Sequence, residues 1–131
     1  MPPSRLPPDD PREWLNRARS NLAQAGVKKP EIYLEDLCFQ AQQAAEKALK
    51  ALLLHKGAPF PHVHDLADLV GLLQRDGIFI PQIIRESVKL TDYAVEARYP
   101  GMSEPVTDAE YLEALALAQR VIRWVEEEMD K

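Results

Sequence analysis

A single cysteine, Cys38, excludes any internal disulfide and points to a reducing cytoplasm. No stretch approaches the roughly 20 apolar residues that a membrane span requires. Glycine is scarce, five in 131 residues, and none forms a glycine-rich phosphate loop. A net positive charge is lacking as well: 16 Lys/Arg against 21 Asp/Glu leave −5, which argues against a protein that coats DNA or other nucleic acid nonspecifically. No segment alternates apolar and polar residues with period two over a useful length, so no sheet is expected. The histidines are supported by neither a second cysteine nor a Glu-x-x-His motif, which leaves a zinc site without its usual spacing.

What remains is ordinary for one globular domain: 46% hydrophobic and 28% charged residues over a length that buries a core without staples. The opening MPPSRLPPDDP lacks the apolar segment of a secretory signal. It reads as a flexible proline-rich arm over residues 1–9, followed by a helical domain over 10–131. The charge is lopsided. Residues 1–65 hold nine Lys/Arg and eight Asp/Glu, whereas 66–131 hold seven and thirteen, so any basic site is local and mostly N-terminal.

Helix punctuation is frequent. Asp10-Pro11-Arg12-Glu13 offers an N-cap carboxylate, a proline where its missing N–H costs nothing, and Glu13 at the capping-box position. Trp14, Leu15, Ala18, Leu22 and Ala25 recur at helical spacing up to Gly26. Pro30 is expected to open a second helix, striped by Leu34, Leu37, Cys38, Ala41, Ala45, Ala48, Leu49, Leu52 and Leu53 and closed by Gly57. Pro59 and Pro61 disfavour helix around them. A short helix with Leu66, Leu69, Val70 and Leu73 runs to Gly77, and Pro81 starts a fourth through Ile84, Val88, Thr91 and Val95. Thr107-Asp108-Ala109-Glu110 is a second capping box before a last helix carrying Tyr111, Leu115, Ala118, Ile122 and Val125. The expected fold is all-α: an up-and-down four-helix bundle with an additional short helix in the middle.

Three groups of residues invite a functional reading. FPHVHDL, residues 60–66, clusters His62, His64 and Asp65. Spacing favours a helix entrance capped by Asp65 over a metal site, with His64 keeping ring nitrogens for a groove ligand. In AEKALKALL, Glu46 and Lys50 stand at i, i+4, which spacing alone reads as a solvated surface pair. The functional alternative has Lys47 and Lys50 edging a phosphate-attracting groove. Arg98 continues the apolar stripe of the fourth helix, either snorkelling over the core or pointing into a groove beside Tyr99. The aromatics Trp14, Tyr93, Tyr111 and Trp124 read as core or interface residues.

The ordered set AEKALKALL, HDL and TDYAVEARYPG resembles the HEPN family (higher eukaryotes and prokaryotes nucleotide-binding) over nearly the whole chain. The resemblance implies a helical bundle, commonly a homodimer, often encoded beside a small nucleotidyltransferase as a two-part, toxin–antitoxin-like system. Many members are metal-independent endoribonucleases with an arginine, four to six residues, then a histidine. No arginine here has a histidine at that spacing, and all three histidines lie upstream of Arg98. The resemblance therefore implies a binding subunit without catalytic residues, metal or cofactor. Lys50, His64, Arg98 and Tyr99 line its groove, joined by Lys47 from the basic pattern. A nucleotide ligand or a nucleotidyltransferase is the expected partner. The alternative is an atypical endoribonuclease that brings His64 and Arg98 together in space.

Overall fold

The computed structural model describes residues 1–59, 61–94 and 105–131. Among these residues five α-helices follow one another: α1 Pro11–Ala25, α2 Leu34–His55, α3 Leu66–Arg75, α4 Gln82–Glu86 and α5 Asp108–Met129, with a 3-10 segment Ser87–Tyr93 continuing α4. No strand occurs among the described residues. The architecture is the all-α up-and-down bundle that the helical periodicity implies.

The helix α2 is the axis of the molecule. It packs most extensively on α1 and α5 and also meets α3 and the 3-10 segment. Ala41, Ala44, Ala45, Ala48 and Ala51 are all at most 1% exposed, because short side chains let two flanking helices approach on either side. Leu49, Leu52 and Leu53 fill the wider end, together with Leu66, Leu69 and Leu73 of α3, Ile84 of α4 and Leu90. From α5, Leu117, Val121, Ile122 and Val125 close the core, while Leu112 is left exposed. Tyr111 is buried, and its hydroxyl donates to the Ala25 carbonyl at 2.7 Å, tying the start of α5 to the end of α1.

Most boundaries follow their local chemistry. Asp10 Oδ1 accepts from the Arg12 amide at 2.9 Å, and Asp65 Oδ1 accepts from the Ala67 amide at 2.8 Å. The Thr107–Glu110 capping box forms in both directions, at 3.1 and 3.0 Å. Gly57 and Gly77, with φ of 84° and 88°, take the left-handed conformation just past α2 and α3 that other residues resist.

Three boundaries differ from expectation. The second helix starts at Leu34 instead of Pro30, because residues 30–32 form a turn closed by the Ile32 amide on the Lys29 carbonyl at 3.0 Å. The fourth ends its α-helical part at Glu86 and tightens to 3-10 geometry. There the Ser87 hydroxyl donates back to the Ile84 carbonyl at 2.5 Å, and β-branched Val88 and Thr91 follow. Glu13 does not close a capping box. Its carboxylate accepts from the Leu6 amide at 2.9 Å and from Arg17 Nε at 2.5 Å. Nearby, the Trp14 indole donates to the Pro8 carbonyl at 2.7 Å, so the chain before α1 lies against that helix.

Candidate functional site

Two polar networks interrupt the apolar surface of α2, both built from side chains at helical spacing. The first faces the start of α3. Glu46 and Lys50, expected on a wet face, are buried at 5% and 3% exposure. Spacing puts the two on one face of the helix. His64, in the approach to α3, reaches this face and contacts both residues. Glu46 Oε2 receives Lys50 Nζ at 3.0 Å and faces His64 Nδ1 at 3.0 Å. Glu46 Oε1 receives Gln42 Nε2 at 3.0 Å, and Gln42, fully buried, in turn accepts from Gln43 at 2.8 Å.

Burial works to raise the Glu46 pKa, yet hydrogen bonds from His64, Gln42 and Lys50 outweigh it and hold the carboxyl below its ordinary value. The pair Glu46–Lys50 is formally neutral, and His64 decides what the cluster presents outward. Its ring is largely exposed, and Nδ1 also lies 3.3 Å from Lys50 Nζ. With a proton on Nδ1 the imidazole donates to Glu46 and its Nε2 is an acceptor. With Nδ1 bare it accepts from the Lys50 ammonium, and Nε2 carries the proton as a donor. Nε2 makes no hydrogen bond among the described residues.

The second network lies in the seam between α1 and α2. Glu13, Arg17 and Asn21 stand at successive i, i+4 positions of α1. Lys47 of α2, half-buried, donates to Asn21 Oδ1 at 2.7 Å, and Asn21 Nδ2 donates to Gln40 Oε1 at 2.6 Å. Burial lowers the Lys47 pKa most, the Arg17 and Lys50 charges lower it further, and Glu46 opposes them.

Of the residues expected in a groove, Lys50 and His64 therefore meet, Lys47 sits in the adjoining seam, and Arg98 and Tyr99 lie outside the described residues. Lys50 is a buried counterion of Glu46 and not an edge cation. Glu46 was noted from sequence only as the surface partner of Lys50, and Gln42, Asn21 and Arg17 were not singled out. The 13–17–21 and 42–46–50 steps were the available signals, and both also fit solvated faces. A separate cleft of about 210 Å³ opens between the 3-10 segment and α5. Among the described residues that line it, Lys89 is the one cation against Asp92, Glu110 and Glu113, an acidic balance unfavourable to phosphate. Among the described residues no group of three or more His, Cys, Asp or Glu is arranged to hold a metal ion. No described helix is long and apolar enough to cross a membrane.

Comparison with known proteins gives a consistent result. The HEPN domain family model matches residues 11–128. The crystal structure of TT1696 from Thermus thermophilus superposes with a TM-score of 0.75 at 38% identity, covering 90% of this chain and 97% of that one. The crystal structure of ST0689, described as an archaeal HEPN homologue, gives a TM-score of 0.72 at 28% identity, covering 92% and 98%. No curated protein matches the chain.

Proposed function

The chain belongs to the HEPN family, and from that premise we propose that it is a non-catalytic binding subunit of a two-component, toxin–antitoxin-like system. It self-associates as a homodimer in the cytoplasm and engages a small nucleotidyltransferase or the nucleotide that such an enzyme handles. The observation that carries the reading is the Glu46–Lys50–His64 cluster. A buried, hydrogen-bonded ion pair anchors an exposed imidazole at the entrance of α3. That arrangement fixes a polar tip able to donate or accept, which suits recognition. Nuclease chemistry asks for more: a proton-transfer group within reach of the 2′-hydroxyl or the leaving oxygen, and a cation for the developing charge. The family's arginine–histidine spacing, which supplies both, is missing here.

The same geometry favours one second reading, an atypical endoribonuclease. A carboxylate 3.0 Å from an imidazole nitrogen orients the ring as a general base requires. The two readings part in one set of measurements. Purified protein is titrated with a small nucleotidyltransferase, taken from its own genome, and incubated separately with RNA, and its solution mass is taken by light scattering. The expected result is a dimer that binds the nucleotidyltransferase, more weakly with Arg98→Lys or His64→Ala, and leaves RNA intact. RNA cleavage abolished by both His64→Ala and Arg98→Ala would move the protein to the nuclease reading.

A further inference from the structure

We infer that Arg17 and Lys47, facing each other across the α1–α2 seam, form a subsite for the phosphate groups of a free nucleotide, separate from the Glu46–Lys50–His64 cluster. The inference rests on the nucleotide-binding side of the proposed function and names its anion-gripping residues.

Lys47 is a half-buried ammonium whose hydrogen-bond partner among the described residues is a neutral amide oxygen, Asn21 Oδ1. A cation removed from water ordinarily finds a carboxylate. The carboxylate next to it in sequence, Glu46, is committed to Lys50 and His64. Arg17, half-exposed, spends Nε on Glu13, and its two terminal nitrogens donate to nothing among the described residues. Asn21, one turn beyond Arg17 on α1, holds the Lys47 ammonium, so both cations line the same stretch of the seam. Their mutual repulsion contributes to the low Lys47 pKa. Among the described residues, the hydrogen-bonded network of Glu13, Arg17, Asn21, Gln40 and Lys47 thus holds two positive charges against one negative, Glu13.

A phosphate group would balance both. It offers several acceptor oxygens, so a guanidinium edge and an ammonium can donate to it together. Lys50 cannot do this, because an anion would have to displace Glu46 from a buried pair. Attraction by Lys47 and Arg17 also explains how an acidic chain could draw an anion: a local pair of cations acts at short range whatever the sign of the net charge.

The test uses calorimetric titration of the full chain with ATP, inorganic pyrophosphate and adenosine. Wild type is expected to bind ATP and pyrophosphate, and adenosine far more weakly. Arg17→Gln and Lys47→Gln should each weaken ATP and pyrophosphate binding about tenfold, the usual loss of one charge-assisted contact. Glu13→Gln keeps an acceptor for the Leu6 amide while removing the competing charge, so it should tighten both, a gain that mere destabilisation would not produce. Lys47→Arg should retain most of the affinity. The inference is overturned if pyrophosphate and ATP fail to bind, or if they bind Arg17→Gln and Lys47→Gln as well as wild type. Binding of the nucleotidyltransferase with no anion binding would overturn this subsite and leave the proposed function standing.

Discussion

Glu46, buried in the middle of α2, holds its carboxylate oxygen 3.0 Å from Nδ1 of His64, an exposed residue in the approach to α3. The same oxygen receives the buried Lys50 ammonium at 3.0 Å. Removing the carboxylate leaves an uncompensated cation in the interior. Glu46→Ala should therefore destabilise the fold by about 3–5 kcal/mol. Replacing both partners with apolar residues, Glu46→Leu with Lys50→Met, should recover most of that loss. Urea denaturation curves measure both. A double variant no more stable than the single one would mean that the pair's own attraction, and not the cost of isolating Lys50, dominates.

Acid should probe the same carboxylate. Burial favours the protonated Glu46, but the bonds from His64, Gln42 and Lys50 favour the carboxylate more, so its folded-state pKa lies below the ordinary 4.5. The unfolded chain then binds the proton first as pH falls. The stabilisation is complete above 4.5 and is lost as pH drops through the lower folded-state value. Glu46→Gln should lack this component, so its stability deficit relative to wild type should be full at neutral pH and shrink in acid. Asp10 and Glu13, also lowered by their hydrogen bonds, contribute equally to both proteins and cancel in the comparison. Equal acid slopes in the two proteins would remove Glu46 from the account.

The contact between the ends of α1 and α5 makes a separate prediction. The Tyr111 hydroxyl donates at 2.7 Å to the Ala25 carbonyl, in the last turn of α1, where no helical amide follows to claim it. Tyr111→Phe should keep the packing and cost about 1–2 kcal/mol, because a buried acceptor is left without its donor. A melting temperature equal to wild type would show that water reaches Ala25.

The caps and the apolar stripes were legible in the chain because each depends on residues within a turn or two of one another. Asp65, Thr107, Gly57 and Gly77 act where their local chemistry says they should. Burial of polar residues was not legible. The i, i+4 spacing of Glu46 and Lys50 says that they share a face, and only the tertiary packing says that the face is dry. For the same reason Glu13 read as a capping residue, although its carboxylate turns to Leu6 and Arg17. The Pro30 start failed because a proline fits a turn as well as a first helical position, and Lys29–Ile32 closed the turn.

Lys47 makes the last prediction, one that needs no ligand. Burial depresses its pKa, and Arg17 and Lys50 add to the effect against Glu46. Lys28 and Lys89 are shifted the other way by hydrogen bonds to Asp108 and Glu113. Acylation of lysines requires the neutral amine, so the pH profile of labelling, read site by site by mass spectrometry, should reach its midpoint at lower pH for Lys47 than for Lys28 or Lys89. Comparing midpoints, and not rates, separates protonation from the partial burial that slows reagent access. The linkage runs in the same sense. Between the folded value of Lys47 and its ordinary 10.5, the unfolded chain holds more protons, so this lysine's contribution to stability rises with pH across that window. Arg17→Gln removes one of the repelling charges and should move the Lys47 midpoint upward, whereas Glu13→Gln leaves Arg17 less neutralised and should move it further down. A Lys47 midpoint at or above that of Lys89, unmoved by either substitution, would mean that the two cations do not share the seam.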